Sequence, residues 1–264
     1  MKVFFASSLC WDYPPIEVIA IAKEYKIQGL ELWAEHIYHH QSDPYEIRSA
    51  AEKEGVTLSL HASSWDLNIC SINNGIQEQS VRELKKSIDL AEALQVVHMT
   101  FHPGRFTVKN YLAHAHMQAL VKNTKVIVEY AAAKGVVLSQ ELMEPIAKEM
   151  ITNPRAMNTF LEQVGQGLHV TLDIAHTPLE ESNINYLDNL ERVNSIHLSD
   201  SSKKQYHLPL GEGEIDLDSI LTSLSNTDFP VVLEGMDTTR ELTFLKKHLA
   251  FLQNAGWIEG KTNV

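Results

Sequence analysis

Thr152-Asn153-Pro154, the apolar-periodic run Arg155–Val164, Gly165, and then His169-Val170-Thr171-Leu172-Asp173 form one readable unit. Proline suits the first turn of a helix and glycine the position just past its end. The short apolar, β-branched segment that follows reads as a buried strand. The unit recurs in both directions. Strands are predicted over Lys2–Ser7, Gly29–Trp33, Thr57–His61, Val96–His102, Val136–Glu141, His169–Asp173, Ser195–Leu198 and Val231–Glu234. Helices are predicted over Ile16–Tyr25, Tyr45–Glu54, Gln77–Leu94, Ala113–Lys134, Arg155–Val164, Leu187–Arg192, Leu217–Leu224 and Thr239–Gln253. Strands joined by helices pair in parallel, and eight such units in a chain of this length most simply close into a (β/α)8 TIM barrel, a single α/β domain over residues 1–264. The doubly wound alternative places a glycine-rich phosphate loop after its first strand; Ala6-Ser7-Ser8-Leu9-Cys10 is no such loop.

The composition agrees with a globular enzyme-sized chain. Of 264 residues, 44% are apolar and 21% charged, which excludes disorder, collagen-like repeats and a coiled coil. Asp and Glu number 34 against 22 Lys and Arg, a net charge of −12 that disfavours attraction to nucleic acid or an anionic membrane unless a local basic patch overrides it. Cys10 and Cys70 make no disulfide framework and suit a reducing compartment. The apolar start, Val3 to Trp11, reads as the first strand rather than a signal peptide, and no run reaches the roughly 18 apolar residues of a membrane span. The expected location is cytoplasmic, without membrane contact. Thirteen histidines remain to be explained.

Barrel enzymes build their sites at the C-terminal ends of the strands. Those ends, in order, carry His61, His102, Glu141, Asp173, His197 and Glu234, with His176 and His207 close behind. Any one of these could be a satisfied polar residue or a helix cap. Six consecutive strands ending this way instead converge on one mouth, where bare carboxylates would repel and lose hydration. A divalent cation resolves both problems, and mixed His and carboxylate donors fit zinc, manganese, cobalt or iron better than calcium. The remaining histidines are read as structural or surface residues: His36, His39 and His40 in a loop after strand two, His114 and His116 at a helix start, and His98, His169 and His248.

The strings Gly29-Leu30-Glu31-Leu32-Trp33, Phe101-His102-Pro103-Gly104, Leu172-Asp173-Ile174-Ala175-His176, His197-Leu198-Ser199-Asp200 and Leu210-Gly211-Glu212-Gly213-Glu214-Ile215-Asp216 resemble the xylose isomerase-like TIM barrel superfamily. The likeness runs through nearly the whole chain. That superfamily includes sugar and sugar phosphate isomerases and epimerases, inosose dehydratases, and the endonuclease IV class (AP endonuclease family 2). Carried over by residue, the sugar epimerase pattern makes Glu141, Asp173, His197 and Glu234 ligands of one divalent metal. Glu141 and Glu234 double as the catalytic acid/base pair, His176 touches the sugar, and no nucleotide cofactor is implied. Two departures stand out: Ala147 replaces a second glutamate, and Lys203 replaces a substrate-binding arginine. The endonuclease IV pattern implies three zinc ions held by His61, His102, Glu141, Asp173, His176, His197, His207 and Glu234, with Gln205 in place of a ninth ligand, an aspartate. That class's DNA-intercalating loops have no counterpart here.

These observations lead to a metal-dependent isomerase or epimerase acting on a sugar, sugar phosphate or polyol. A zinc-dependent hydrolase of abasic DNA and an inosose dehydratase-like lyase are the alternatives. The expected partner is a small-molecule substrate, nucleic acid coming second. A homo-oligomer is in keeping with the superfamily. Arg105 and Lys203, with Lys109 and Lys204 nearby, are candidates for an anionic substrate group; Trp33 and Trp65 are candidates for an apolar wall. Glu31 points to the same side of its strand as Trp33 and is read as an interior ion-pair partner. Gly211 and Gly213 are read as a tight turn under the site, which Glu212 could touch.

Overall fold

The computed structural model describes residues 1–108 and 111–258; Lys109 lies outside the described residues. Eight parallel strands close on themselves into a barrel, each beside its neighbours in chain order and the last beside the first. They are β1 (Lys2–Ala6), β2 (Gly29–Trp33), β3 (Thr57–His61), β4 (Met99–Phe101), β5 (Leu138–Leu142), β6 (Leu168–Asp173), β7 (Val193–Leu198) and β10 (Pro230–Leu233). Around them run α1 (Pro15–Glu24), α2 (Ala34–His39), α3 (Pro44–Glu54), α4 (Asn74–Leu94), α5 (Ala113–Lys134), α6 (Pro154–Val164), α7 (Asn183–Asn189), α8 (Leu217–Leu224) and α9 (Thr243–Asn254). Among the described residues no helix is long and apolar enough to cross a membrane.

Local chemistry sets the boundaries. In α6 the Asn153 side chain accepts from the Ala156 N–H, Pro154 occupies the first turn, and Gly165 closes the helix with φ 100°. Met157, Phe160, Leu161 and Val164 make its buried stripe at helical spacing. Four expectations need correction. His36 and His39 lie on α2 rather than in a loop; this helix starts directly at the end of β2, leaving no turn signal between them. His207 lies on a short antiparallel hairpin, β8 (Asp200–Ser202) and β9 (Gln205–Leu208), rather than in a loop. The helix expected over Leu187–Arg192 is α7, begun earlier by Ser182, whose hydroxyl accepts from the Asn185 N–H. The helix expected from Thr239 starts at Thr243, because the Asp237 carboxylate takes the Thr239 and Phe244 N–H groups and holds the intervening chain as a loop.

Strand alternation divides the barrel into two chemistries. Leu30, Leu32, Leu60, Leu138, Leu172, Ile196, Leu198 and Leu233 face outward and join the helices in one apolar core. The other set faces the lumen: Glu31, Ser59, His61, Thr100, Glu141, Thr171, Asp173 and His197 are all buried. A separate small apolar cluster, Phe4, Ala6 and Val232 against Trp33, shares the lumen with them.

Asp200 anchors the loop that follows the hairpin. Its carboxylate accepts four backbone N–H groups, from Ser201 (2.8 Å), Gly211 (3.0 Å), Gly213 (2.9 Å) and Ile215 (3.2 Å). Gly211 takes φ 83°, and a Cβ at Gly213 would run into the Asp200 carboxylate and the Ser201 carbonyl. The glycine pair thus serves the turn. Asp200→Asn turns an N–H group toward other donors and is expected to cost about 1–3 kcal/mol in urea denaturation, with Gly213→Ala costing a similar amount. Unchanged midpoints for both would show that this loop does not depend on the carboxylate.

Candidate functional site

The barrel register brings the strand ends together. Asp173 and His197 are register partners between β6 and β7, as are Trp33 and His61 between β2 and β3. His61 holds Nδ1 2.9 Å from the Ala62 carbonyl, which makes Nδ1 its N–H and turns Nε2 to Glu141 Oε2 at 3.4 Å. His102 Nε2 reaches the same oxygen at 3.1 Å. His176 holds Nδ1 3.0 Å from the Leu142 carbonyl and directs Nε2 to Asp173 Oδ2 and His207 Nε2, each at 3.4 Å. His207 adopts φ 54°, in the left-handed region, with Nδ1 3.1 Å from the Ser199 hydroxyl. His197 reverses the pattern: Nδ1 faces Glu234 Oε2 (3.0 Å) and Glu141 Oε2 (3.7 Å), while Nε2 lies 2.9 Å from Glu31 Oε1.

These donors fall into three groups, each with ligand atoms within 4.8 Å of one another: His61, His102 and Glu141; Asp173, His176 and His207; and Glu141, Asp173, His197 and Glu234. Glu141 and Asp173 belong to two groups each, so the three adjoin. All eight metal candidates from the sequence are thus brought together. His61 Nε2, Glu141 Oε2, Asp173 Oδ2, His197 Nδ1 and Glu234 Oε2 are buried, and the close contacts they make are charge contacts that lack hydrogen-bond geometry. Each such atom costs about 1–3 kcal/mol unless something pairs with it. Five converging orphans, with nitrogen and carboxylate donors mixed, fit one or more divalent transition-type cations.

Protonation shows the same demand. Burial opposes charge on His197, but Glu234, Glu31 and Glu141 override it and hold its pKa well above the ordinary imidazole value. Asp173 is raised by burial, with Glu234 and Glu141 adding to the effect. Burial works against ionising Glu141 as well, yet His102 and His197 hold it well below the usual carboxylate range.

The remaining candidates sit around this centre. Trp33 stacks on His61 with centroids 4.5 Å apart and 19° between planes, packing against a ligand candidate. Trp65 is half exposed, with its ring 5.3 Å from that of Trp11. Arg105 is exposed on a loop bridged to Glu149, and its carbonyl accepts from Asn68 Nδ2 at 2.9 Å. Lys203 and Lys204 form the exposed turn of the hairpin. Gln205 begins β9 and is exposed; Ala147 is exposed on the loop after β5. That loop holds two carboxylates the sequence reading passed over. Glu144 Oε2 is buried, unpartnered and 3.7 Å from His176 Nε2. Glu149 is raised by burial and by Glu144, against the pull of Arg105, His102 and His176. Their available signal was position, three and eight residues past a strand-end ligand candidate.

A family model described as "Xylose isomerase-like TIM barrel" matches residues 19–258. Among curated relatives, an uncharacterised protein of Methanocaldococcus jannaschii is 25% identical over 85% of this chain and 84% of its own. A "Probable endonuclease 4" of Mycoplasma capricolum is 24% identical over 77% and 74%. Among solved structures, D-psicose 3-epimerase from Clostridium cellulolyticum H10 superposes with TM-score 0.81 at 17% identity, covering 97% of this chain and 98% of that one. The IolI protein, solved with a zinc atom, gives 0.78 at 15%, covering 98% and 100%.

His176 links the cluster to stability. Burial opposes its charge, yet Asp173, Glu141 and Glu144 push its pKa from 6.5 up to about 9. A raised folded-state pKa stabilises the fold fully below the unfolded value, and that gain disappears as pH climbs through the folded value. Chelator-treated protein is therefore expected to lose melting temperature from about pH 6.5 to about 9. His176→Gln should flatten the slope, and an equally steep slope in that variant would remove His176 as its source.

Proposed function

This chain belongs to the xylose isomerase-like TIM barrel family, and on that footing we propose that it is a divalent-metal-dependent isomerase or epimerase of a sugar, sugar phosphate or related polyol. One observation carries the reading: Glu141, Asp173, His197 and Glu234 converge in a single buried four-donor group containing two glutamates. Zinc, manganese, cobalt or iron suits those donors. A cation held there would polarise a substrate carbonyl and the hydroxyl beside it, acidifying the intervening C–H.

The residues then divide the work. Glu234 points Oε2 at His197 Nδ1, and its other carboxylate oxygen serves to take or return a proton on the substrate carbon. Glu141 acts as its counterpart. His176, its Nδ1 fixed by the Leu142 carbonyl, orients a substrate hydroxyl. Arg105 or Lys203 holds an anionic end of the substrate, and Trp33 and Trp65 shape the apolar side. The near end-to-end match with an epimerase structure supports this reading. A dehydratase-like lyase would share the proton abstraction and differ only in what leaves.

The second reading, hydrolysis of abasic DNA, is favoured by a different observation: the His61–His102–Glu141 and Asp173–His176–His207 groups adjoin the first. It draws on the similarity to a probable endonuclease 4.

Elemental analysis and a substrate panel separate the two. Glu234→Gln is expected to lower substrate–solvent proton exchange by about 100-fold or more; unchanged exchange removes Glu234 as the acid/base group. His61→Ala with His102→Ala is expected to remove one metal equivalent while isomerisation persists. Cleavage of a duplex carrying one synthetic abasic site, lost in that double variant, would place the hydrolase first.

A further inference from the structure

We infer that Glu31 is a positioning residue for the metal centre: reaching across the lumen from β2, it fixes the tautomer of His197 on β7 and so selects Nδ1 as the donor atom. This rests on the divalent-metal reading above and goes beyond it, since Glu31 belongs to none of the three donor groups.

The geometry is specific. β2 and β7 are not neighbours in the barrel order, so the Glu31–His197 contact spans the interior. Glu31 Oε1 lies 2.9 Å from His197 Nε2, a close charge contact without hydrogen-bond geometry, so Glu31 acts on the ring through its charge and its place beside Nε2. The other oxygen is occupied separately: the Ser59 hydroxyl donates to Oε2 at 3.3 Å, and His98 Nε2 lies 3.7 Å away. Ser59 is also the register partner of Glu31 on β3, which sets the height of that contact. Glu31 and His197 are both fully buried, so no solvent competes for either.

Orientation decides which nitrogen can bind. His61 and His176 place Nδ1 against a backbone carbonyl and present Nε2. His197 does the opposite, with Nε2 at Glu31 and Nδ1 toward Glu234 and Glu141. A carboxylate beside the remote nitrogen keeps the proton there, leaves the near nitrogen's lone pair free, and makes the ring a stronger donor than a neutral carbonyl does. Without Glu31, His197 is free to carry its proton on Nδ1 and turn a donor hydrogen into the four-donor group.

The test uses zinc alone on the full chain, with affinity measured by competition against a chromophoric chelator and equivalents counted by elemental mass spectrometry. Glu31→Gln keeps an acceptor oxygen but loses the charge, and is expected to weaken one zinc equivalent by about tenfold. Glu31→Ala loses both and is expected to weaken that equivalent by about 100-fold. Any zinc in the other groups should bind as in wild type. In zinc-loaded, 15N-labelled wild type, His197 is expected to show a protonated Nε2, with that signature lost in Glu31→Ala. Thermal melts control for folding, and the near-isosteric Gln variant carries the test if the Ala variant does not fold. Affinities within twofold of wild type in both variants, or a protonated Nδ1 in wild type, overturn the inference and leave the metal reading standing. Wild type that takes up no zinc overturns both.

Discussion

Four carboxylates, Glu31, Glu141, Asp173 and Glu234, share the lumen with His61, His98 and His197, all of them buried. Removing that many charges from water is the dominant constraint on this molecule. Each ion costs several kcal/mol even after relaxation, and the inward-facing apolar residues that fill many barrels are here reduced to Phe4, Ala6 and Val232 with Trp33 beside them. Stability must therefore come from outside the barrel wall, where the leucine and isoleucine faces of strands and helices form one continuous core. The lumen trades packing for donors. Imidazoles held above their ordinary pKa by neighbouring carboxylates balance part of the charge, and a divalent cation would balance it without requiring those protons.

The same constraint explains what could be read directly. A strand end is a position with a known address in a closed barrel, so His61, His102, Glu141, Asp173, His197 and Glu234 announced a common mouth without any contact being known. The period-two alternation also placed Glu31 on the lumen side with Trp33. What stayed hidden lacked either period or punctuation. α2 begins where β2 ends, and β8 and β9 are three and four residues long. No repeat pattern can show in so few positions. The left-handed conformation of His207 comes from the hairpin rather than from a glycine signal. Glu144 was missed because its loop approaches His176 only once the barrel has closed.

Those late-appearing residues bear on what the centre can act on. On the proposed reading, the inner donors would set how many cations fit, while the rim would set which substrate reaches them. Around the rim, Glu144 and Glu149 stand near His176 and His102, and Arg105 lies on the bridge to Glu149. Lys203 and Lys204 occupy the hairpin turn. Such a rim mixes signs over short distances. A nucleic-acid phosphate backbone needs several cationic contacts in a row, and carboxylates between them work against that. A small polyhydroxylated molecule instead gains from alternating donors and acceptors, since every hydroxyl can do both. The inner centre leaves room for more than one chemistry. Within the function proposed above, the carboxylates at its edge suit a small molecule better than a polyanion.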